Sequence, residues 1–353
     1  MISISEHIDH PDAHAFLVEL AQQHWESLNG VRNDGEYKNN AVIFKVSRYL
    51  EHSKSRAYFK EYAQQNTAKL ARQRNFFQAL LDYDNLYLEQ IIISKPEELE
   101  SLRREMMCVL EEDDLYLNQN GSEVQTPFGR LLSEKIFSYK NFRSSSSCIK
   151  LLKSIGFLSA TCPYCNYNKL NLVPYIGTKN VATDTTAYLD MDHFFSKVRN
   201  PFFALSFFNL IPSCHSCNST DKGAKIFSIE SQIHPYFNSF DDHYRFRISL
   251  VTLLGDPTDE VFIDASQARV NDQTLTHFNL LSKYNHIFPE IESLLNRFIK
   301  FKGYIGTNEE PMFVELLLAE IPQERKNILR YAAAKIKRDV LRQLDINGAL
   351  KII

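Results

Sequence analysis

LDMDHFFSKVRNPFFALSFFNLIPSCHSCNSTDKG, residues 189–223, is the stretch on which the reading of the fold turns. Leu189 to Phe195 reads as a strand, and Phe207 to Ser213 as a second strand or strand-like segment. The chain then enters a cysteine turn, after which Asn218, Ser219, Thr220, Asp221, Lys222 and Gly223 open a short helix. Strand, loop, strand and helix follow one another, with Asp192 and His193 on the first strand and Asn218 at the helix.

The turn Cys214-His-Ser-Cys217 has a counterpart upstream in Cys162-Pro-Tyr-Cys165. Each pair offers two thiolates from one tight turn, and two such turns complete a tetrahedral four-cysteine site that fits structural Zn2+. The 48 residues between the pairs exceed a simple zinc ribbon, so the strands and helix lie inside the loop. A small loop-rich segment builds little core of its own, and a metal supplies the missing folding energy. The other two cysteines, Cys108 and Cys148, sit in helix-like apolar patterns and are expected in the core.

Working outward, the flanks are helical. Ala13, Phe16, Leu17, Leu20, Ala21, Trp25 and Leu28 recur at helical spacing, with Gly30 as a stop. Pro96 opens a second helix through Leu99, Leu102, Met106 and Leu110, with Glu97 and Glu98 at its positive end. Glu111 to Gln125 reads as an acidic loop. Thr126 and Pro127 start a further helix with Leu131, Leu132, Ile136 and Phe137 on one face, and the serines 144–147 cap one that ends at Gly156. Tyr244, Phe246, Ile248 and Leu250 alternate with Arg245, Arg247 and Ser249 as in a strand. From Asp272 the pattern is helical again, ending in a helix from Gln323 to Gln343. The fold class expected is α+β: mostly helical flanks at 1–157 and 241–353, the latter with one strand, around a zinc-stabilised module at 158–240.

Composition sets the class. The chain has 353 residues, 44% hydrophobic and 24% charged, and no apolar run long enough to span a membrane, so a cytoplasmic setting is expected. Charge is uneven. Residues 1–120 hold 13 Lys+Arg against 20 Asp+Glu, whereas residues 135–225 hold 11 against 4. The basic surplus surrounds the cysteine turns, where a nucleic-acid surface would have to lie. No phosphate-binding glycine loop occurs, so any ATP hydrolysis would need a separate ATPase partner.

Asp192-His193, Asn209 and Asn218 stand in the register of the HNH endonucleases. Residues 160–225, with CPYC, DMDHFFSK and NLIPSCHSCNSTDKG, resemble the zinc-containing ββα-metal branch of that family, in which four cysteines hold the zinc. They are also similar to HNH subunits of Septu-type antiphage systems that work beside an ATPase. The resemblance implies a metal-dependent nuclease acting on nucleic acid, most of all DNA. The residue chemistry agrees with it. Neutral His193 suits a general base, Asp192 and Asn218 offer hard oxygens to one Mg2+ or Mn2+, and Asn209 is placed to orient the imidazole. Asp190 shares the strand face of Asp192, as an outer partner of that ion or an extra ligand. Lys222 and Lys225 are placed to meet phosphates. His215 and His234 read more readily as packing, exposed or turn residues, while Arg245 and Arg247, on one strand face, read equally as phosphate contacts or a solvated face. Two other readings account for part of the pattern: a zinc module that binds nucleic acid or protein without catalysis, and a nuclease subunit active only with its ATPase.

Overall fold

The computed structural model describes residues 2–174, 185–249, 261–265, 269 and 271–352. Helices form the N-terminal third. Ala13–Leu28 begins where the Asp12 carboxylate accepts the Ala15 N–H, satisfying one of the helix's free donors. Val42–His52, Thr67–Ile93 and Pro96–Val109 follow, and the long helix is broken by non-helical backbone from Asp82 to Asn85. Pro96 stands at the first turn of its helix, where its missing N–H costs nothing.

The acidic stretch expected as a loop is instead a short helical turn and a hairpin, β1 (Tyr116–Gln119) and β2 (Ser122–Gln125). The reversal is made by Asn120 and Gly121, both at positive φ (53° and 79°), the backbone that a tight two-residue hairpin turn needs. Thr126 caps Pro127–Arg130 through Gly129 N–H, and the chain continues with i→i+5 bonding over Leu131–Ile136. Leu131, Leu132, Ile136 and Phe137 are buried as expected. Ser145 caps Ser146–Ser154 by accepting the Cys148 N–H, and Gly156 turns the chain at φ +86°. Cys148 lies in the core, but Cys108 is exposed, because its helix buries the Leu99, Leu102 and Met106 face.

All described strand pairing is antiparallel. β3 (Ser159–Thr161), β4 (Lys169–Pro174) and β5 (Thr185–Tyr188) make a three-stranded sheet. β6 (Asp190–His193) pairs with β7 (Leu210–Ser213), and β8 (Arg245–Ile248) with β9 (Val261–Asp264). In β8, Phe246 and Ile248 are buried while Arg245 and Arg247 bond Asp241 and Asp264; Leu250 lies outside the described residues. The final helix is shorter than its pattern suggests: Arg325–Arg330 is a tight helical turn, Ala333 sits at φ +54°, and only Ala334–Leu344 is regular.

Beside a smaller hydrophobic cluster that joins Leu294, Phe298, Phe313 and Leu317 with Leu341 and Leu350, the larger cluster among the described residues runs from Ile2 to Val340 and includes the four turn cysteines. Segments distant in sequence close over it: Ile2 N–H bonds Pro163 O at 2.7 Å, and Ala333 N–H bonds Asn166 O at 2.6 Å. Lys335, Asp241 and Asp339 form a buried ionic cluster (2.5 and 2.6 Å) that fixes the last helix under β8. The cysteine turns are therefore packed on both flanks. Among the described residues no helix is long and apolar enough to cross a membrane.

Candidate functional site

β6 and β7 are each an edge strand of a two-stranded sheet, which is why Pro212 is tolerated opposite Met191. The register sets Asp190 opposite Ser213, Asp192 opposite Ile211 and His193 opposite Leu210. Between the strands the chain loops through two tight turns, Pro201–Leu205 and Phe207–Asn209. Beyond β7, Ser216–Lys222 is wound with i→i+5 bonds, closed by Gly223 N–H on Asn218 O. Such windings recur at functional positions.

Asn209 is fully buried and closes the mouth of this loop. Its carboxamide accepts the Phe195 N–H at 2.6 Å and donates to Phe195 O and Phe203 O at 3.2 and 3.1 Å. It does not touch the His193 ring, contrary to the direct orienting role expected of it. The ring is held by a main-chain group instead: His193 Nε2 lies 3.1 Å from Ala204 O. Asn209 holds the carbonyl of Phe203, the residue before Ala204.

A carbonyl only accepts, so Nε2 carries the proton and Nδ1 keeps its lone pair. Nδ1 has no hydrogen-bond partner among the described residues. Tyr139 packs against the ring edge-on, centroids 4.6 Å apart, and its hydroxyl donates to Met191 O at 3.1 Å. Burial lowers the His193 pKa, Lys197 adds to this, and Asp192 opposes both; the result is about 4. The imidazole is therefore neutral near pH 7. Lys197, which the sequence did not single out, has its ammonium 5.5 Å from the Tyr139 ring.

Asp192 is placed differently from expectation. Lys222 Nζ donates to both of its oxygens at 2.7 and 2.8 Å and also to His193 O, and Tyr164 O–H donates to Oδ2 at 2.6 Å. Both charged side chains are about 5% exposed or less. Burial pulls the Lys222 ammonium below its usual value while Asp192 works to restore it, and burial keeps the Tyr164 hydroxyl protonated as a donor. A divalent ion at Asp192 would meet this ammonium, so as it stands the carboxylate does not fit a ligand. Nor is Lys222 a phosphate contact, since it points inward. Lys225 is exposed but bonds Asp221 O and His277 O.

Breaking a buried ion pair leaves a bare charge in the interior. Lys222→Met should thus lower stability by about 3–5 kcal/mol in denaturant titrations, and Asp192→Asn with Lys222→Met should recover most of it. Equal losses in single and double variants would show that the pair is not the strut described.

Asn218 meets Asp190 rather than Asp192. Its Nδ2 donates to Asp190 Oδ2 at 3.0 Å, and His215 Nδ1 is 3.0 Å from the same oxygen. Carboxylate, carboxamide and imidazole here are donors of the kind a divalent cation takes.

The four turn thiols do converge. Cys162, Cys165, Cys214 and Cys217 are buried with all Sγ atoms within 4.8 Å of one another, an arrangement that could hold a metal ion such as zinc. Their surroundings suit thiolates. Asn168 Nδ2 reaches Cys214 Sγ at 3.2 Å, Cys214 N–H reaches Cys162 Sγ at 3.4 Å, and Lys283 Nζ is 3.4 Å from Cys217 Sγ. Lys283 comes from the helix Leu280–His286, far along the chain, and nothing in the motif announces it.

Comparison with known proteins finds no matching family model, no matching curated protein and no matching solved structure.

Proposed function

We propose that the chain is a zinc-pinned HNH-type nuclease that hydrolyses phosphodiester bonds of nucleic acid, DNA first among them. One observation carries the reading. His193 stands at the end of an antiparallel hairpin that runs into a cysteine turn, with one imidazole nitrogen fixed on a carbonyl and the other left open. Zn2+ in the four-cysteine site is structural on this reading, since four protein ligands leave no position for substrate. The basic surplus of residues 135–225 agrees with a polyanionic substrate. A role in antiphage defence, with or without an ATPase partner, rests on the sequence resemblance alone.

The work of the chain's own groups follows from their placement. Nδ1 of His193 takes the proton of a water aimed at phosphorus; the new P–O bond forms as the bond to the departing oxygen breaks, and that oxygen takes its proton from solvent. Ala204 O holds the ring in the working tautomer, and Tyr139 limits its swing. Lys197, which acts electrostatically on His193, is the group we assign to the phosphate. A divalent cation of the type the resemblance implies would compensate charge on the phosphate when bound.

The test is cleavage of labelled DNA by the zinc-loaded chain with Mg2+ or Mn2+, each repeated with a chelator. The low pKa of His193 shapes the pH profile. Because the base works when neutral, His193 itself should not limit the rate until its ring protonates, near pH 4, at every pH where elemental analysis shows the zinc still bound. An unperturbed imidazole would instead give a midpoint at about 6.5. Cleavage rates across the acid-to-neutral range decide between the two.

A second reading draws on the Asp192–Lys222 pair. That pair closes the carboxylate next to His193 to a cation, which favours a module that binds nucleic acid without cutting it; binding that persists with no cleavage under any divalent ion would establish that reading.

A further inference from the structure

We propose that the chain's divalent-cation site is formed by Asp190, Asn218 and His215, and that Asp192, the carboxylate next to His193, is not a ligand. The location of this site stands on its geometry; its use in catalysis rests on the nuclease reading.

Asp190 and Asp192 share one face of β6, because side chains two apart on a strand point the same way. The i→i+5 turn Ser216–Lys222 lies along that face and divides the two acids between its residues. Lys222 takes Asp192, which is buried and accepts three hydrogen bonds from side chains. Asn218 and His215 take Asp190, which is a third exposed, and both meet a single oxygen, Oδ2. Oδ1 of Asp190 and Oδ1 of Asn218 have no hydrogen-bond partner among the described residues. The His215 side chain is 82% exposed, and Ser219 Oγ lies 3.4 Å from its Nδ1. One acid is thus neutralised and closed, while the other faces water with oxygen and nitrogen donors around it. A half-turn of the Asn218 carboxamide brings its oxygen to the side where its nitrogen now stands.

The setting favours a cation. His215 and Asn218 flank Cys217 in one turn, so the site abuts the four-cysteine knot, which carries a net charge of about −2 once four thiolates hold a divalent ion. Lys283 offsets part of that charge from the Cys217 side. A mixed imidazole and oxygen set prefers Mn2+ to Mg2+, which favours oxygen alone. A single carboxylate makes the site weak, with a Kd on the order of 10⁻⁴ M.

The experiment is Mn2+ titration of the zinc-loaded full chain, followed by electron paramagnetic resonance, with circular dichroism as the check on folding. Asp190→Asn should weaken Mn2+ binding by about 10-fold or more. His215→Ala should weaken Mn2+ binding and leave Mg2+ competition little changed. Asp192→Asn should stay within about threefold of the parent. Should that variant fold poorly, Asp192→Asn with Lys222→Met removes both charges together and reads out the same comparison. Loss of binding in the Asp192 variants with retention in Asp190→Asn would overturn the proposal, as would a parent that binds no Mn2+ at millimolar concentration. Mn2+ binding in the expected pattern with no DNA cleavage would leave the site standing and remove the nuclease reading.

Discussion

His193→Ala is expected to lower the DNA cleavage rate by about 10²–10⁴-fold, the range a general base contributes. Binding of the same DNA should be unchanged, because the ring's contacts among the described residues are to Ala204 and Tyr139 of the chain itself. Folding should also survive. The lost contacts are one hydrogen bond and one ring edge, worth about 1 kcal/mol each. The effect should fall on kcat rather than on KM, since proton abstraction belongs to the transition state. Rates, anisotropy and a thermal melt on one preparation check all three. A cooperative melt that is lost altogether, rather than lowered by the few degrees these two contacts imply, would mean that the residue holds the loop and does no chemistry.

On the zinc-pinned reading proposed above, removal of the metal from the four-cysteine site has the largest expected effect on stability. Structural Zn2+ binding is worth about 10–16 kcal/mol in small zinc modules, as much as the whole stability of an ordinary domain. The consequence should reach beyond the hairpin. Tyr284 O–H donates to Cys165 O, Ala333 N–H bonds Asn166 O, and Asn166 Nδ2 bonds Ile328 O at 3.1 Å, so the C-terminal helices hang on the first cysteine turn. Cys217→Ser, or a strong chelator, should therefore abolish the cooperative melt rather than shift it by a few degrees. One zinc per chain by elemental analysis is expected in the parent. A metal-free chain with an unchanged melt would show that the four thiols hold the turn by packing alone.

The parts of this arrangement that repeat in the chain were legible in its sequence. Two CxxC turns foretell their own convergence, and helix starts at Pro96, Thr126 and the serines 144–147 follow from residue types that satisfy free N–H groups or, for proline, lack one. The Asn120-Gly121 hairpin carried a signal that the acidic composition around it masked. Other features carry no local signal at all. That Lys222 turns inward to Asp192 depends on the i→i+5 winding of its turn, which shifts each side chain relative to an α-helix. That the imidazole is held by Ala204 O depends on the path of a loop, and any residue supplies a carbonyl. Asp190 and Asp192 look alike in sequence and differ in what packs over them: Tyr164 and Lys222 close one, while the other is a third exposed.

Chemical rescue of His193→Gly tests most directly whether this imidazole is the base. The parent should cut DNA, the glycine variant should not, and added imidazole should restore cutting in proportion to its neutral fraction. Cutting by the glycine variant at the parent rate, or a zinc-loaded parent that cuts nothing with any divalent cation, would contradict that role.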